Sequence, residues 1–152
     1  MSIRKAQVED TADIRALILK AVEPEHNPDF DAEGLKQFYK PNDLSSIRSR
    51  ILNKSYLTLC FVKDEKIAGI ITIHANEKID QLFVDPSYRN MKISKQLWEA
   101  ARNICSNKGN RNGYWVKSST VAIPVYESFG FRLDGERQKS NGIIYYPMVL
   151  VQ

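Results

Sequence analysis

The stretch YRNMKIS, Tyr88 to Ser94, sets Arg89 and Lys92 in an irregular turn. A strand-like run closing at Asp85-Pro86 precedes it, and a helical pattern follows. That placement suits an anion. The first turn of a helix presents backbone N–H groups without intrahelical partners, at the positive end of the helix dipole. Successive amides in a turn form a concave nest for negative charge. Arg89 adds a forked donor that matches phosphate oxygens, and Lys92 adds a point charge. Glycine is the usual residue in such turns because it allows close approach and positive φ. Lys92 and Ser94 stand where glycine is expected, although neither the amides nor the dipole depends on it.

The charge distribution points the same way. The 152 residues carry a net charge of +4, yet between Tyr88 and Arg111 six basic residues meet a single acid, Glu99. That segment holds +5 and the rest of the chain −1. Basicity confined to one turn and one helix indicates a single anionic ligand. A nucleic-acid surface would be broader, with aromatic residues interleaved on that face. For any one of these residues taken alone, a solvated helix face is the simpler account.

Cys60 and Cys105 lie inside apolar runs and read as buried small hydrophobes in a reducing compartment. No Cys or His spacing matches a metal site. No apolar run approaches the roughly 20 residues that span a bilayer, and MSIRKAQVEDTADI lacks a signal-peptide core. The expectation is a cytoplasmic protein with no metal, no nucleic-acid partner and no membrane partner. Its length suits one domain over 1–152, able to bury about two-thirds of the unfolded surface.

The elements that must position the turn follow from periodicity. SIRKAQ reads as a first strand and EDTADIRALILKAV as a helix capped by Asp10 or Thr11, with Ile14, Leu17, Ile18 and Ala21 as its apolar stripe. FDAEGLKQFYK and NDLSSIRSRILNK are two further helices, the second capped by Asp43 or Ser45. YLTLCFVKDEKIAGIITIH is a hairpin turning at Lys63–Lys66, and KIDQLFVD is a third antiparallel run. A helix over Ile93–Asn107 carries Ile93, Leu97, Trp98, Ala101, Ile104 and Cys105 as a core stripe. YWVKSS is a strand, and TVAIPVYESFGF a short helix stopped by Gly130. RLDGERQ and GIIYYPMVLV are closing strands around an Asn141-Gly142 turn. A strand–helix–strand passage demands at least one parallel pair, so the class is α/β with a mixed sheet.

From Leu82 onward the chain resembles the GCN-five-related N-acetyltransferase (GNAT) superfamily. Arg89-Asn90-Met91-Lys92-Ile93-Ser94, led in by VDPSYR, aligns with the family motif [Q/R]-x-x-G-x-[G/A]. Arg89 matches, Lys92 departs from the glycine, and Ser94 is small where Gly or Ala is usual. SSTVAIPVYESFGFRLDG is similar to a second signature, a helix ending in Tyr-x-x-x-Gly-Phe, matched by Tyr126, Gly130 and Phe131. The opening IRKAQVEDTADIRALI and the element order also agree, over nearly the whole chain.

The resemblance implies a mostly antiparallel sheet of about seven strands flanked by helices and splayed between the fourth and fifth. It implies acetyl-CoA as co-substrate in that wedge. The pantetheine arm would pair with the backbone of Leu82, Phe83 and Val84, and the pyrophosphate would meet the amides of Arg89, Asn90, Met91, Lys92, Ile93, Ser94 and Lys95. Ser119, after the fifth strand, would contact the arm, with helix capping by Ser118, Ser119 or Thr120 as the plainer account. An amine acceptor, from a small molecule or peptide, would enter beside the N-terminal helices and the Glu23–Phe30 loop. The acids there, Glu23, Glu25, Asp29 and Asp31, hint at a cationic acceptor or are an exposed acidic loop. Homodimers are common in the family, and no seam is visible in this sequence.

Three chemical roles need filling. The attacking amine must lose a proton, and Asp80 or Glu77 would take it. On a regular strand these two face opposite sides, so one at most would face the cleft unless a bulge intervenes; Asp80 is favoured, with His74 a weaker candidate and His26 unassigned. The N–H of Val84 or a neighbour would meet the developing oxyanion. Tyr126 would protonate the departing thiolate, or else be a half-buried aromatic. Against an active enzyme stands a GNAT-fold acyl-CoA-binding regulatory module with weak or no turnover, in which Lys92 spoils the pyrophosphate loop.

Overall fold

The computed structural model describes residues 2–89 and 92–151. The strands are β1 (Ser2–Lys5), β2 (Tyr56–Lys63), β3 (Lys66–His74), β4 (Lys78–Val84), β5 (Tyr114–Ser118), β6 (Arg132–Leu133), β7 (Gln138–Ser140) and β8 (Ile143–Leu150). The helices are α1 (Thr11–Val22), α2 (Ala32–Tyr39), α3 (Leu44–Leu52), α4 (Ile93–Asn107) and α5 (Ile123–Ser128). One sheet holds them in the order β1-β2-β3-β4-β5-β8-β6, with β7 paired to β8. All pairs are antiparallel except β4–β5. Eight strands appear where about seven are expected, because RLDGERQ breaks into two short pieces on either side of Gly135, whose φ is 118°.

The central strands read as nearly continuous apolar runs because both of their faces are covered. Leu59, Phe61, Ile71 and Ile73 face α4 and α5, whereas Cys60 and Ile70 face α1, α2 and α3. The stripe predicted on α4 is that first core: Ile93, Leu97, Trp98, Ala101 and Cys105 are all buried. Trp98 meets Tyr114 edge-on with centroids 5.0 Å apart, and Phe131 at 5.4 Å. It is fully explained by packing.

Caps follow the sequence in part. Asp43 caps α3 by accepting from the Ser46 N–H at 2.7 Å. Asp10 stands at the cap of α1, but its carboxylate serves other donors. Both of its oxygens pair with the Arg4 guanidinium, at 2.8 and 2.9 Å, and one also accepts from the Gln7 N–H at 2.7 Å. The hydrogen bond from Arg4 is the main reason the Asp10 carboxyl titrates below its ordinary 3.8. A depressed native pKa stabilises the fold above the unfolded value, and that contribution disappears as pH falls through the native value. Asp10→Asn should therefore cost about 1 kcal/mol at pH 7, a modest figure because the Arg4 side chain is 41% exposed. The gap to the natural protein should narrow as pH falls below 3.8 and close below the depressed native value, so urea melts should show a smaller gap at pH 3 than at pH 7.

Two close approaches tie α2 to the β7–β8 hairpin. Asn141 and Gly142 form its turn with φ of 50° and 81°, as the Asn-Gly pair predicts. The Gly142 carbonyl accepts from the Asp31 N–H at 3.0 Å, and Asp31 caps α2 through the Gly34 N–H at 2.9 Å. A Cβ on Gly34 would overlap the Gly142 carbonyl oxygen.

Candidate active site

β4 and β5 pair only through Lys78↔Trp115 and Ile79↔Val116. Beyond Ile79 the two strands part, leaving the outer edge of β4 without a β5 partner. The direction of its backbone follows from one bond. The Asp85 N–H donates to the Ala68 carbonyl at 2.8 Å. With the register running Gly69↔Val84, Ile70↔Phe83 and Ile71↔Leu82, antiparallel alternation makes Phe83–Ile70 a bonded pair. The N–H and C=O of Leu82 and Val84 therefore point out of the sheet edge, into the wedge. Phe83 is a correction to the sequence reading. Its backbone is spent on β3, and its side chain packs with the α1–α3 core, so it cannot pair with a ligand in the wedge as its neighbours can.

The helix start at the wedge is α4. Lys92 is its N-cap, in the left-handed region with φ 57° and ψ 28°. That is the conformation for which glycine is the usual choice, and lysine adopts it at a cost of about 1 kcal/mol. The side chain therefore does not divert the turn from the path a glycine would take. Lys92 makes no side-chain cap to α4, so the first amides, of Ile93, Ser94 and Lys95, have no cap from it. Ile93 is buried beneath them, and Ser94 is half-buried. Asn90 and Met91 of the expected motif lie outside the described residues. The Arg89 guanidinium differs from expectation. It is exposed and directed at the Ala21 carbonyl at 3.5 Å, where a cation complements the C-terminal end of α1. Lys20 pins the same junction through Asp85, at 3.1 Å. The Lys95 side chain lies 4.0 Å from Glu99, both exposed.

Tyr126 sits in α5 with 5% of its surface exposed, 5.8 Å from the Phe131 ring and 6.0 Å from Phe129. It belongs to the same core as the side chains of Leu82 and Val84. Its phenol has no hydrogen-bond partner among the described residues, and burial pushes its pKa above the ordinary 10.0. Ser119, half-buried after β5, accepts at its carbonyl from the Ser118 hydroxyl at 2.8 Å. The expected serine or threonine cap is absent, since Ala122 holds that position for α5. Thr120 instead binds Asp29, its N–H at 2.9 Å and its hydroxyl at 2.6 Å. Asp29 is 6% exposed and lies 91 residues away in sequence, a link that no local pattern reveals.

On the other face of the sheet the carboxylates come together. The register passes from Thr72↔Gln81 to Ile73↔Ile79, so Asp80 is the extra residue of a β-bulge. The bulge lets Ile79 and Leu82, three apart, share one core, while Asp80 stays on the side of Lys78, two residues before it, and Glu77 stands just ahead of β4. Asp80 lies 3.5 Å from Lys78, whose ammonium lies 5.0 Å from the centroid of the Trp115 ring. Trp115 Nε1 donates to Glu77 at 3.0 Å. The four side chains form one chain in which Glu77 is committed to the indole and Asp80 is the more open end. Gln81 donates to buried Asn42 at 2.8 Å, fastening β4 to the segment before α3. His74 stacks on Tyr56 at 4.5 Å, and His26 is exposed on the loop after α1.

The fold therefore brings together an open strand edge, a helix start without a side-chain cap from Lys92, a buried phenol unpaired among the described residues, and a carboxylate on the opposite face. Such a site can hold an extended acyl thioester and pass protons on either side of it. No group of three or more His, Cys, Asp or Glu among the described residues could hold a metal. No helix among them is long and apolar enough to cross a membrane.

Comparison with known proteins gives a consistent result. A family model described as the acetyltransferase (GNAT) domain matches residues 26–152. No curated protein matches the chain. Among solved structures, it is similar to the PaiA N-acetyltransferase of Thermoplasma acidophilum in complex with coenzyme A, with TM-score 0.85 and 19% identity over 99% of this chain and 98% of that one. A GCN5-related N-acetyltransferase of Rhodopseudomonas palustris aligns with TM-score 0.84 and 19% identity over 99% and 95%. The ribosomal-protein-S18-alanine N-acetyltransferase of Escherichia coli aligns with TM-score 0.69 and 18% identity over 99% and 92%. At these identities the structures speak to the fold.

Proposed function

The chain belongs to the acetyltransferase (GNAT) domain family of acetyl-CoA-dependent N-acetyltransferases, and from that premise we propose that it transfers the acetyl group to a primary amine of a small molecule or peptide by direct attack. The observation that carries this reading is the outer edge of β4, where the outward amides of Leu82 and Val84 face the gap beside the start of α4.

Acetyl-CoA supplies an activated acyl group on a thiol that leaves readily. Leu82 and Val84 hold its arm through backbone hydrogen bonds. The N–H of Val84 or Leu82 donates to the thioester carbonyl oxygen as negative charge builds on it. The amides of Ile93, Ser94 and Lys95, with the dipole of α4, hold the pyrophosphate. Asp80 accepts the proton that the amine must lose, and Tyr126 donates one to the departing sulfur. Glu77, held by Trp115, supports the carboxylate chain without reaching the amine. The buried unpaired cysteines suit a cytoplasmic protein. The non-catalytic binding module finds no support in Lys92, whose backbone already takes the conformation of a glycine.

Saturating acetyl-CoA, at about 100 times its Kd, should raise the melting temperature by about 5–10 °C. Free thiol should be released when an accepted amine from a panel of amines and peptides is added. The protein itself contributes little to that readout. Both cysteines are buried, and burial pushes the Cys60 thiol up to about 12 and the Cys105 thiol upward. No melting shift at any acetyl-CoA concentration would overturn the proposal.

A further inference from the structure

The Arg50 guanidinium, on the last turn of α3, makes no hydrogen bond or ion pair with any described residue, and its Nη2 is sealed from solvent. Buried polar groups are normally partnered, and a cation taken from water without a partner is costly to the fold. The charged and polar groups that act on Arg50 are Asp80, Tyr56 and Asp43, and none of them hydrogen-bonds its Nη2. Asp80 lies against Lys78, Asp43 caps α3, and Tyr56 is stacked on His74. Arg50 is therefore an unspent cation within electrostatic reach of the carboxylate assigned to the amine proton.

The acids of the Glu23–Phe30 loop and its continuation are in the opposite condition. Asp29 is buried on Thr120. Asp31 caps α2 and pairs with Lys139 at 2.9 Å. Glu25 accepts from the Tyr39 hydroxyl at 2.8 Å. Glu23, exposed at the end of α1, is the remaining acid. A second ammonium on the acceptor would find most of these carboxylates occupied, whereas an oxyanion would find the remaining N–H groups of a half-buried guanidinium.

We propose that the acceptor amine also carries a carboxylate, as in an amino acid or peptide, and that Arg50 binds that carboxylate while Asp80 faces the amine. This rests on the acetyltransferase reading. Arg50 is a specificity-determining residue for that reaction, and its discrimination is lost when the guanidinium is removed.

Matched amines with and without a carboxylate test the proposal: alanine against ethylamine, and lysine against cadaverine, with initial rates of thiol release as the readout. The natural protein should favour the carboxylate-bearing member of at least one pair by tenfold or more in kcat/KM. Arg50→Met, which replaces the half-buried cation by a neutral side chain of similar length, should collapse that ratio to below threefold. Arg50→Lys should restore part of it. Equal rates within both pairs for the natural protein, or a ratio that Arg50→Met leaves unchanged, would overturn the proposal. If none of the four amines releases thiol, melting shifts with the same amines in the presence of CoA read the site independently of turnover. A carboxylate-specific shift in the natural protein that Arg50→Met abolishes would support the anion site and count only against acetyl transfer. The absence of any such shift would reject the anion site as well.

Discussion

Tyr126→Phe should lower kcat by about 100-fold while changing the affinity for acetyl-CoA by less than about twofold. The phenol is buried in an aromatic cluster, and burial holds it protonated well above neutral pH. A group kept neutral in that way is a donor, not a base, and the departing thiolate of CoA is what it would serve. The substitution leaves the ring in place against Phe129 and Phe131. It also leaves no protein group unpaired, since the hydroxyl has no partner among the described residues. Stability should therefore be unchanged or slightly higher, within about 0.5 kcal/mol. Steady-state kinetics beside a direct binding measurement separates the outcomes. Equal loss of turnover and affinity would make Tyr126 a packing residue and leave the thiolate to water.

Gly34→Ala should cost about 3 kcal/mol, lowering the melting temperature by about 6–12 °C. The added methyl meets the Gly142 carbonyl, which is backbone and cannot swing aside as a side chain could. The Gly142 carbonyl is also the acceptor for Asp31, and Lys139 pairs with the Asp31 carboxylate, so the clash falls on the tie between α2 and the β7–β8 hairpin. The same tie anchors the loop that carries Asp29, whose carbonyl accepts from the Ile144 N–H at 2.8 Å. The kinetic consequence should fall on the amine: its KM should rise more than that of acetyl-CoA, which is proposed to lie in the β4–β5 wedge. A melting temperature within 2 °C of the natural protein would mean that the hairpin moves aside freely, and the tie would lose its assigned role.

Most of the fold was legible because its signals are local. Alternation and 3.6-residue periodicity placed β2, β3, β4 and α4 nearly to the residue, and Asn141-Gly142 announced its turn. These patterns record which side of an element is buried, and that is fixed by residues adjacent in the chain. The candidate site at the start of α4 was legible for the same reason: a strand, a basic segment and a helix start are contiguous in the chain. Tyr126 carried a readable signal only through its place before Gly130 and Phe131.

Other features had to wait for tertiary contacts. The chain from Asp80 through Lys78 and Trp115 to Glu77 depends on the pairing of β4 with β5, a property of the pair that neither strand encodes alone. Spacing along β4 could not say that Phe83 turns its amide to β3 while Leu82 and Val84 offer theirs, because the answer depends on which register the pair adopts. Arg50 lies in the third helical stretch, and nothing in the sequence marks it out. Its significance is that its Nη2 is buried without a hydrogen-bond partner, and that depends on how Asp80, Tyr56 and Asp43 are placed around it. Asp29 read as part of an acidic loop, yet it is buried on Thr120. Composition and short-range spacing thus determined the elements, the family resemblance and the basic segment before α4 of this protein. Which charges are satisfied and which are left for a substrate was decided only when residues as far apart as 29 and 120 were packed together, since the cost of burying a charge is set by its neighbours in space.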